Sequence, residues 1–518
     1  MPEQNSAKQQ HIKAERLLQI FDEITKTKRP SGNENEIRKY IVDFIKNLNN
    51  KNIEVVQYNE NATEPKDRVI VVKKASNGGK SKIVLQAHMD MVCNPPDMTF
   101  PLKTNTEDEK QPDGSTIHWL KAVSANNSPS TLGADDGIGV ASILALLENT
   151  SVPAGQLECL FTVQEETDMG GAKGFDKNLL EGRTYINLDS EEDSTIIYGS
   201  AGGLKSTLKF KPEYEAPGAD TTFLSLTIDG LKSGHSGINI SEGRGNAIQL
   251  MSRALFELCA RTNSFKDFEV YNFNIASFTT NNKADNAIPK DASVIVSVSN
   301  QDKDGLITSF NNICGKLKED YKVMEPNFKF SADVVGSNPP SKVMNSYWTD
   351  KLIKLLITIP HGVLCMEPSG NGLVKTSTNL AVIKEVNESI TILCFHRSSS
   401  DSQLDWVRDI HRSIALEYGI EIENSDRYPV WEPNKDSRLL EIAKKVYQGY
   451  PKYETAVIHA GLECGWVVEK YKNDDKGSMD CISIGPTVKD PHTSDERLNV
   501  DSVQKFCDCL VNILTDLS

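Results

Sequence analysis

The sequence has no stretch of about 18 or more uninterrupted apolar residues, the length that a membrane-spanning helix needs. Its first residues, Met1 to Lys8, contain no apolar core, so we expect no secretory signal. None of its ten cysteines belongs to a Cys-x-x-Cys pair, and scattered cysteines in a long chain are typical of reduced thiols. We therefore expect a cytoplasmic protein that does not bind a membrane.

Basic residues are also too few to favour a polyanionic partner. Lysine and arginine together number 57 against 72 aspartates and glutamates, which gives a net charge of -15. Nucleic acids and anionic membranes are bound mainly through basic patches. We therefore expect no nucleic-acid partner.

The glycine-rich segment 131–139 lacks the motifs that bind phosphate. It contains neither Gly-x-Gly-x-x-Gly nor Gly-Lys-Ser/Thr. Its two adjacent carboxylates, Asp135 and Asp136, would repel a phosphate group at the start of the helix that follows. A cation is the ligand that this segment favours.

An apolar run from Ile83 to Ala87 ends in His88 and Asp90. Residues two apart in a strand share a face, so this strand would present both polar side chains together at its carboxyl end. Ligand sites in open α/β sheets lie at that end of the strands.

The same pattern recurs along the chain. The further apolar runs and the polar residues that follow them are 157–163 with Glu165 and Glu166, 184–188 with Asp189, and 481–485 with His492. The start of a helix after the glycine-rich segment adds Asp135. So many metal-competent side chains at strand ends predict one shared metal centre.

The predicted ligands are nitrogen and oxygen donors without cysteine: His88, Asp135, Glu166, Asp189 and His492. This set suits zinc, with manganese or cobalt as substitutes. A single catalytic zinc normally takes three protein ligands, so five ligands predict two ions that share a carboxylate. Two ions about 3.5 to 4 Å apart could bridge a water, lower its pKa toward about 7 and supply a hydroxide nucleophile.

Two further carboxylates are candidates for catalytic roles. Glu165 precedes Glu166, and alternation in an extended backbone would turn it to a different side, so we predict that Glu165 is the general base. Asp90 is placed to bond the ring nitrogen of His88 that does not bind metal. The alternative for Glu165-Glu166 is a solvated charged pair.

The chain alternates strands and helices, which predicts an α/β fold with a central sheet flanked by helices. Helices are expected at 15–27 and 34–48, and the proline-rich segment 94–127 as a long surface excursion. The pattern then changes, and we predict a catalytic domain at 1–203 and 428–518 interrupted by an α+β domain at 204–427. Its order of elements suggests a βαββαβ unit repeated in tandem.

A series of short motifs resembles one enzyme family, the aminoacyl-histidine dipeptidases, also called β-alanyl-histidine dipeptidases or bacterial-type carnosinases. That family belongs to the larger group of two-zinc aminopeptidases, carboxypeptidases and deacylases. The resemblance runs from about residue 15 to the C-terminus. Its motifs are His88-Met89-Asp90, Gly133-Ala134-Asp135-Asp136-Gly137, Glu165-Glu166, Asp189, Gly234-His235-Ser236-Gly237, Asn286-Ala287-Ile288-Pro289, His459-Ala460-Gly461-Leu462-Glu463-Cys464-Gly465, and Gly485-Pro486 with His492.

The resemblance implies a zinc-exopeptidase-like catalytic domain with a mixed sheet, in which Asp135 bridges two zinc ions. The remaining ligands would be Glu166 with His492 for one ion and His88 with Asp189 for the other. A cis peptide between Asp135 and Asp136 is also implied.

The resemblance further implies that the inserted domain acts as a lid. Its His235 would polarise the scissile carbonyl, with help from Asn286. Arg397 could grip a substrate carboxylate, although a surface arginine is as good an interpretation. His459 and Glu463 would contact the substrate or order the residues around it.

The leading hypothesis is a dipeptidase that cleaves unblocked dipeptides, of the Xaa-His type such as β-alanyl-histidine. An N-acyl amino acid deacylase or a tripeptidase would use the same centre. A non-catalytic binding protein is the alternative from another class, but it predicts the loss of a ligand or of the base, and none is missing. A homodimer through the lid stays open, as does whether His235 serves its own chain.

Overall fold

The computed structural model describes residues 12–259, 269–282, 284–368, 372–450 and 452–518. In these ranges the chain forms two compact units. The first comprises the chain up to Ser200 with Trp431–Val457 and Leu462–Ser518, and the second comprises Ala201–Val430 with Ile458–Gly461. The domain boundaries after residues 203 and 427, and the lid role of the inserted part, stay predictions.

An eight-stranded mixed sheet forms the centre of the first unit. Its strands, in spatial order, are Ile53–Gln57, Ile70–Lys74, Ala154–Thr162, Gly78–His88, Thr184–Asn187, Asp480–Ser483, Thr195–Ser200 and Glu454–Ile458. The four from Ala154–Thr162 to Asp480–Ser483 run parallel to one another. Their carboxyl ends therefore meet at one edge of the sheet, and the predicted α/β fold is confirmed.

The helices of the first unit follow the hydrophobic pattern of their sequences. They are Ala14–Thr25, Asn35–Asn47, Pro65–Arg68, Ala134–Glu148, Glu165–Asp168, Gly170–Gly174, Arg438–Tyr447, Cys464–Tyr471 and Val500–Leu517, with a 3-10 turn at Lys177–Leu179. Nearly all of Ala134–Glu148 is buried, as expected for a helix that is apolar on every side. No helix of either unit, in the described ranges, is long and apolar enough to cross a membrane.

The predicted surface excursion at 94–127 is wrong in part. This segment contributes a hairpin, Lys103–Lys110 and Thr116–Val123, to a second sheet with Pro129–Ser130, Val488–Lys489 and Arg497–Asn499. Lys103–Lys110 is exposed at almost every position. A strand without an apolar face has no alternating pattern, so its sequence looked like a loop.

The second unit contains two sheets with one topology. The first sheet has the order Phe273–Thr279, Ala292–Ser299, Thr221–Asp229, Lys329–Val334, with helices Ala247–Leu258 and Lys303–Tyr321. The second has the order Gly362–Met366, Val374–Val386, Ser389–Ser398, Gly202–Phe210, Glu421–Asn424, with helices Ser346–Thr358 and Asp401–Glu417. The described part of the unit also contains a short pair, Tyr214–Glu215 and Val343–Met344, and a 3-10 turn at Ile240–Glu242.

Each sheet of the second unit is a βαββαβ repeat, and the two repeats are nested. Gly202–Phe210 precedes the whole four-stranded repeat, whereas the other strands of its own sheet follow it. Apart from the extra strand Gly362–Met366, the two sheets have the same antiparallel neighbours. The suggested duplication therefore takes the form of one repeat inserted after the first strand of the other.

Acid is expected to destabilise the second unit through His411. Its ring is fully buried, 4.4 Å from the ring of His396, and its Nδ1 lies 2.9 Å from the carbonyl of Val407. Burial lowers the pKa of His411 to about 4. Below about pH 6.5 the unfolded chain therefore binds a proton that the folded unit refuses, and His411 alone lowers the free energy of unfolding by about 2 kcal/mol between pH 7 and 5.

Urea unfolding at pH 7 and pH 5 measures the total loss of stability in acid, and His411→Leu should make that loss about 2 kcal/mol smaller. His118→Gln is the control, and it should not make the loss in acid smaller. Its Nδ1 lies 2.9 Å from Asp501 Oδ2, and this hydrogen bond raises the pKa of His118. An unchanged pH dependence in His411→Leu would show that His411 is protonated as easily in the folded chain as in the unfolded one.

Candidate metal centre

The five predicted ligands lie together at the carboxyl edge of the first unit's central sheet. His88 Nε2 is 2.9 Å from Asp135 Oδ1 and 3.5 Å from Asp189 Oδ1. His492 Nε2 is 2.9 Å from Asp135 Oδ2 and 2.9 Å from Glu166 Oε2. Each of the two histidines thus faces one oxygen of Asp135 and one further carboxylate.

The position of Asp135 comes from the start of helix Ala134–Glu148. The helix is preceded by Gly133, whose φ of 71° is in the left-handed region. Asp135 itself is non-helical, and the peptide bond between Asp135 and Asp136 is cis. The neighbouring carboxylate of Asp136 accepts hydrogen bonds from the backbone N–H groups of His88 and Gly139, each at 3.1 Å.

Asp90 is fully buried behind the cluster and binds the groups around it. Its Oδ1 lies 3.5 Å from His88 Nδ1. Its carboxylate accepts hydrogen bonds from Ser31 Oγ at 2.8 Å and from the backbone N–H groups of Glu165 and Glu166 at 3.1 and 3.2 Å. Burial alone would raise the pKa of Asp90, but the nearby His88 ring and the hydrogen bond from Ser31 lower it. Asp90 therefore stays charged and orients both His88 and the segment that carries the two glutamates.

Glu165 and Glu166 lie on a short helix, Glu165–Asp168, so the predicted extended alternation between them is wrong. Gln164, with φ of 58°, reverses the chain before this helix, and Met169, with φ of 55°, does so after it. A non-glycine residue with positive φ is uncommon, and such residues cluster at functional sites. Burial raises the pKa of Glu165 well above its ordinary value.

The charges of this cluster fit a divalent cation. Burial, with the charge of Asp135, raises the pKa of Glu166 to about 7, and burial raises that of Asp189 to about 6. Among the described residues, Glu166 Oε1 is buried without a hydrogen-bond partner. Ligand atoms of His88, Asp135 and Glu166, and those of His88, Asp136 and Asp189, lie within 4.8 Å of one another. Carboxylates held this close are stable as anions only beside positive charge.

A second cluster of predicted residues lies in the second unit. Arg397, 4% exposed, places Nη2 at 3.2 Å from His235 Nε2 and donates from Nη1 to the Tyr428 hydroxyl at 2.7 Å. His235 Nδ1 accepts from the backbone N–H groups of Gly237 and Ile238 at 3.3 and 3.2 Å. Because a guanidinium can only donate, both ring nitrogens of His235 face N–H donors in this structure. The interpretation of Arg397 as a surface arginine is wrong.

The other predicted substrate residues are divided between the two units. In the second unit, His459 Nε2 lies 2.7 Å from Ser377 Oγ, and burial lowers the pKa of His459 to about 3. The carbonyl of Asn286 accepts from the N–H of Ser236 at 2.7 Å. In the first unit, buried Glu463 accepts from Gln86 Nε2 at 2.5 Å and from Thr162 Oγ1 at 2.7 Å. Contacts of these three residues with a substrate stay predictions.

Sequence reasoning missed three residues that hold these clusters in place. They are Tyr428, which bonds Arg397, and Arg29 and Glu496, which bind backbone groups around the metal centre. Each lies outside the helices and strands given above. A charged or aromatic side chain in a connecting segment is normally exposed, so no signal in the sequence distinguishes these three.

Comparison with known proteins supports one family. Residues 132–516 match the family described as Peptidase family M20/M25/M40. The cytosol non-specific dipeptidase of Escherichia coli is 33% identical over 518 residues, which covers 97% of each chain. The structure of an aminoacylhistidine dipeptidase from Vibrio alginolyticus matches 98% of this chain and 97% of its own, with 32% identity and a TM-score of 0.77. A tripeptidase from Staphylococcus aureus, 17% identical, covers 98% of this chain and 99% of its own with a TM-score of 0.51 and shares the fold.

Proposed function

Since the chain belongs to peptidase family M20/M25/M40 and is a metal-dependent peptide hydrolase, we propose that it is a two-zinc dipeptidase that cleaves unblocked dipeptides. The observation that carries this proposal is the position of Asp135. One of its oxygens faces His88 and the other faces His492, each at 2.9 Å. A carboxylate between two histidines is suited to share two ions.

The residues around Asp135 would hold the ions in two groups. His88 and Asp189 are suited to one ion, and His492 and Glu166 to the other. The side chain of His492 is 48% exposed whereas that of Asp135 is 10% exposed, so a substrate would reach the centre from the His492 side. When bound, the ions supply positive charge that acidifies water and stabilises negative charge on a carbonyl oxygen.

Glu165 is the proposed general base. It lies next to Glu166 but has no place in the ligand set, and burial raises its pKa, which suits a group that takes a proton and returns it to the leaving amine. Asp90 keeps its backbone in place through the N–H of Glu165. The same carboxylate orients His88, as carboxylates bonded to metal-binding histidines commonly do.

His235 and Arg397 are the proposed groups that recognise the substrate. His235 would polarise the scissile carbonyl oxygen, where negative charge develops. The guanidinium of Arg397, held by Tyr428 at 2.7 Å, would bind the carboxylate at the free end of a dipeptide. If Arg397 must bind a free carboxylate, the length of the product on the carboxyl side of the cleaved bond is limited.

Steady-state hydrolysis of a substrate panel by the zinc-loaded protein tests the proposal. The panel contains β-alanyl-histidine, several α-dipeptides, a tripeptide and an N-acetyl amino acid. Cleavage of dipeptides alone is expected, and the ratio of kcat/KM between Xaa-His and other dipeptides decides between narrow and broad specificity. Cleavage of only the tripeptide or the N-acetyl amino acid would contradict a dipeptidase, and no turnover at all would favour a binding protein.

Arg397→Met is expected to raise KM for dipeptides about 10- to 100-fold, because charged hydrogen bonds contribute about 1.5 to 3 kcal/mol. The same change should have little effect on dipeptide amides, which lack the carboxylate. Kinetics on each dipeptide and its amide measure the difference. Arg408→Met, at an arginine that pairs with Asp405 and Asp409, is the control. An equal rise in KM for the dipeptides and for their amides would show that Arg397 does not bind the substrate carboxylate.

A further inference from the structure

Glu496 binds the backbone of the segment that leads to Asp135. Its carboxylate is buried, 1% exposed. Oε2 accepts from the N–H groups of Leu132 and Gly133 at 2.8 and 2.9 Å, and Oε1 accepts from those of Ala134 and Asp135 at 2.7 and 3.3 Å. One side chain therefore satisfies four successive backbone donors, four residues after the ligand His492.

Arg29 binds the same segment from its carbonyl side. Its side chain is fully buried. Nη1 donates to the carbonyl oxygens of Met89 and Asp90 at 3.1 and 2.9 Å, and Nη2 donates to the carbonyl of Gly133. Arg29 thus joins the segment that follows His88 to the one that precedes Asp135.

Gly133 is the residue that both side chains share. Its N–H donates to Glu496 and its carbonyl accepts from Arg29. With φ at 71°, Gly133 adopts a conformation that favours glycine, and a Cβ there would overlap the Arg29 guanidinium. The local backbone is therefore built to admit the two charged groups.

We propose that Arg29 and Glu496 form a positioning clamp that holds Asp135 between His88 and His492, so that two metal ions can share its carboxylate. The clamp fixes three backbone segments, 88–90, 132–135 and 492–496, each of which carries a ligand. Neither Arg29 nor Glu496 is itself a ligand. They act on the metal through the backbone of the residues that are.

The burial of the two charges supports this role over simple packing. Burying an ionised group costs several kcal/mol unless hydrogen bonds satisfy it. Here those bonds go almost entirely to the backbone of ligand-bearing segments, where an apolar side chain could fill the space but could not bind the N–H and carbonyl groups. Residues that orient metal ligands commonly change metal affinity about 10- to 100-fold when they are substituted.

Cobalt(II) titration of the metal-free full-length chain tests the clamp. Glu496→Gln is expected to bind cobalt about 10- to 100-fold more weakly than the unsubstituted chain, since the amide nitrogen cannot accept from the loop N–H groups. The visible absorption of bound cobalt should also change in intensity, because the position of the shared carboxylate changes.

Glu158→Gln is the matched control. Glu158 is also fully buried and accepts from two backbone N–H groups, those of Glu181 and Gly182, at 2.8 and 2.9 Å. It lies four residues before the end of strand Ala154–Thr162, about 13 Å from the carboxyl edge. Its substitution should leave cobalt affinity and absorption unchanged, even where it lowers the stability of the fold.

Two further variants, Arg29→Lys and the double variant Arg29→Lys/Glu496→Gln, test the contribution of Arg29 to the clamp. Lysine keeps the charge but loses the fork that reaches both segments, so cobalt affinity should fall while circular dichroism stays the same. If the two side chains act as one clamp, the double variant should lose no more affinity than the worse single variant. Should Glu496→Gln fail to fold, Arg29→Lys and Glu496→Asp give the same two readouts.

Unchanged cobalt affinity and absorption in the folded clamp variants would overturn the proposal. An equal loss of cobalt affinity in Glu158→Gln would also overturn it, since general destabilisation of the fold would then explain the weaker binding. The clamp rests on the proposed metal centre but not on the proposed substrate. If the unsubstituted chain binds cobalt but cleaves no dipeptide, the proposed substrate is wrong and the clamp still stands. If it cleaves dipeptides and the clamp variants bind cobalt as tightly as it does, only the clamp is wrong.

Discussion

Glu165→Gln is expected to lower kcat for dipeptides by about 10²- to 10⁴-fold, the usual contribution of a general base. Glutamine keeps the size of the side chain but cannot take a proton. Because Glu165 is outside the proposed ligand set, the variant should keep the same zinc content. Steady-state kinetics and metal analysis of the same preparation measure both quantities.

Asp168→Asn is the control for this variant. Asp168 ends the same short helix, is exposed, and accepts from the N–H of Gly170 at 3.1 Å. It should therefore keep nearly full activity. If Glu165→Gln lost its zinc together with its activity, Glu165 would be a ligand or a support for one, and another group would have to serve as the base.

The position of the metal centre could be predicted because it follows from strand direction alone. Parallel strands end at one edge, so polar residues after each apolar run must meet there, whatever the details of the loops. His88 and Asp189, at or just after the ends of their strands, illustrate this. The local backbone around Glu165 could not be predicted, because the reversal at Gln164 depends on a left-handed residue that is not glycine.

The residues that hold the centre in place could not be predicted, for a different reason. Arg29 and Glu496 bind backbone groups 104 and 361 to 364 residues away in the sequence. Backbone donors and acceptors are the same at every position, so such pairs leave no pattern of residue types. Tyr428, which holds Arg397 across 31 residues, is a shorter case of the same kind.

The nested repeat of the second unit shows where sequence order misleads. The helices and strands were sufficient to suggest two βαββαβ units, but the neighbours of Gly202–Phe210 in its sheet lie about 180 to 220 residues later in the chain. Sequential elements are usually neighbours in space, which favours repeats arranged end to end. A pairing over so long a separation is visible only once the sheet is formed.

The shared position of Asp135 makes metal stoichiometry a sharp measurement. If its two oxygens serve different ions, removal of its charge affects both sites, whereas removal of a carboxylate beside one histidine affects one. Asp189, 3.5 Å from His88 Nε2, is such a carboxylate. The two substitutions therefore separate a bridged pair from two independent sites.

Asp135→Asn is accordingly expected to lower bound zinc from two ions per chain to fewer than one, and Asp189→Asn to about one. Zinc at 100 times its Kd should raise the free energy of unfolding of the unsubstituted chain by about 2.7 kcal/mol per ion, and that of Asp135→Asn by almost nothing. Metal analysis and urea unfolding with and without zinc measure both effects. Asp480→Asn is the control and should keep both ions. Asp480 lies at the opposite end of a central strand, where it accepts a hydrogen bond from the N–H of Leu439 at 3.0 Å. Loss of one ion in Asp135→Asn would make Asp135 a ligand to a single metal, and the bridge between His88 and His492 would have to come from another group.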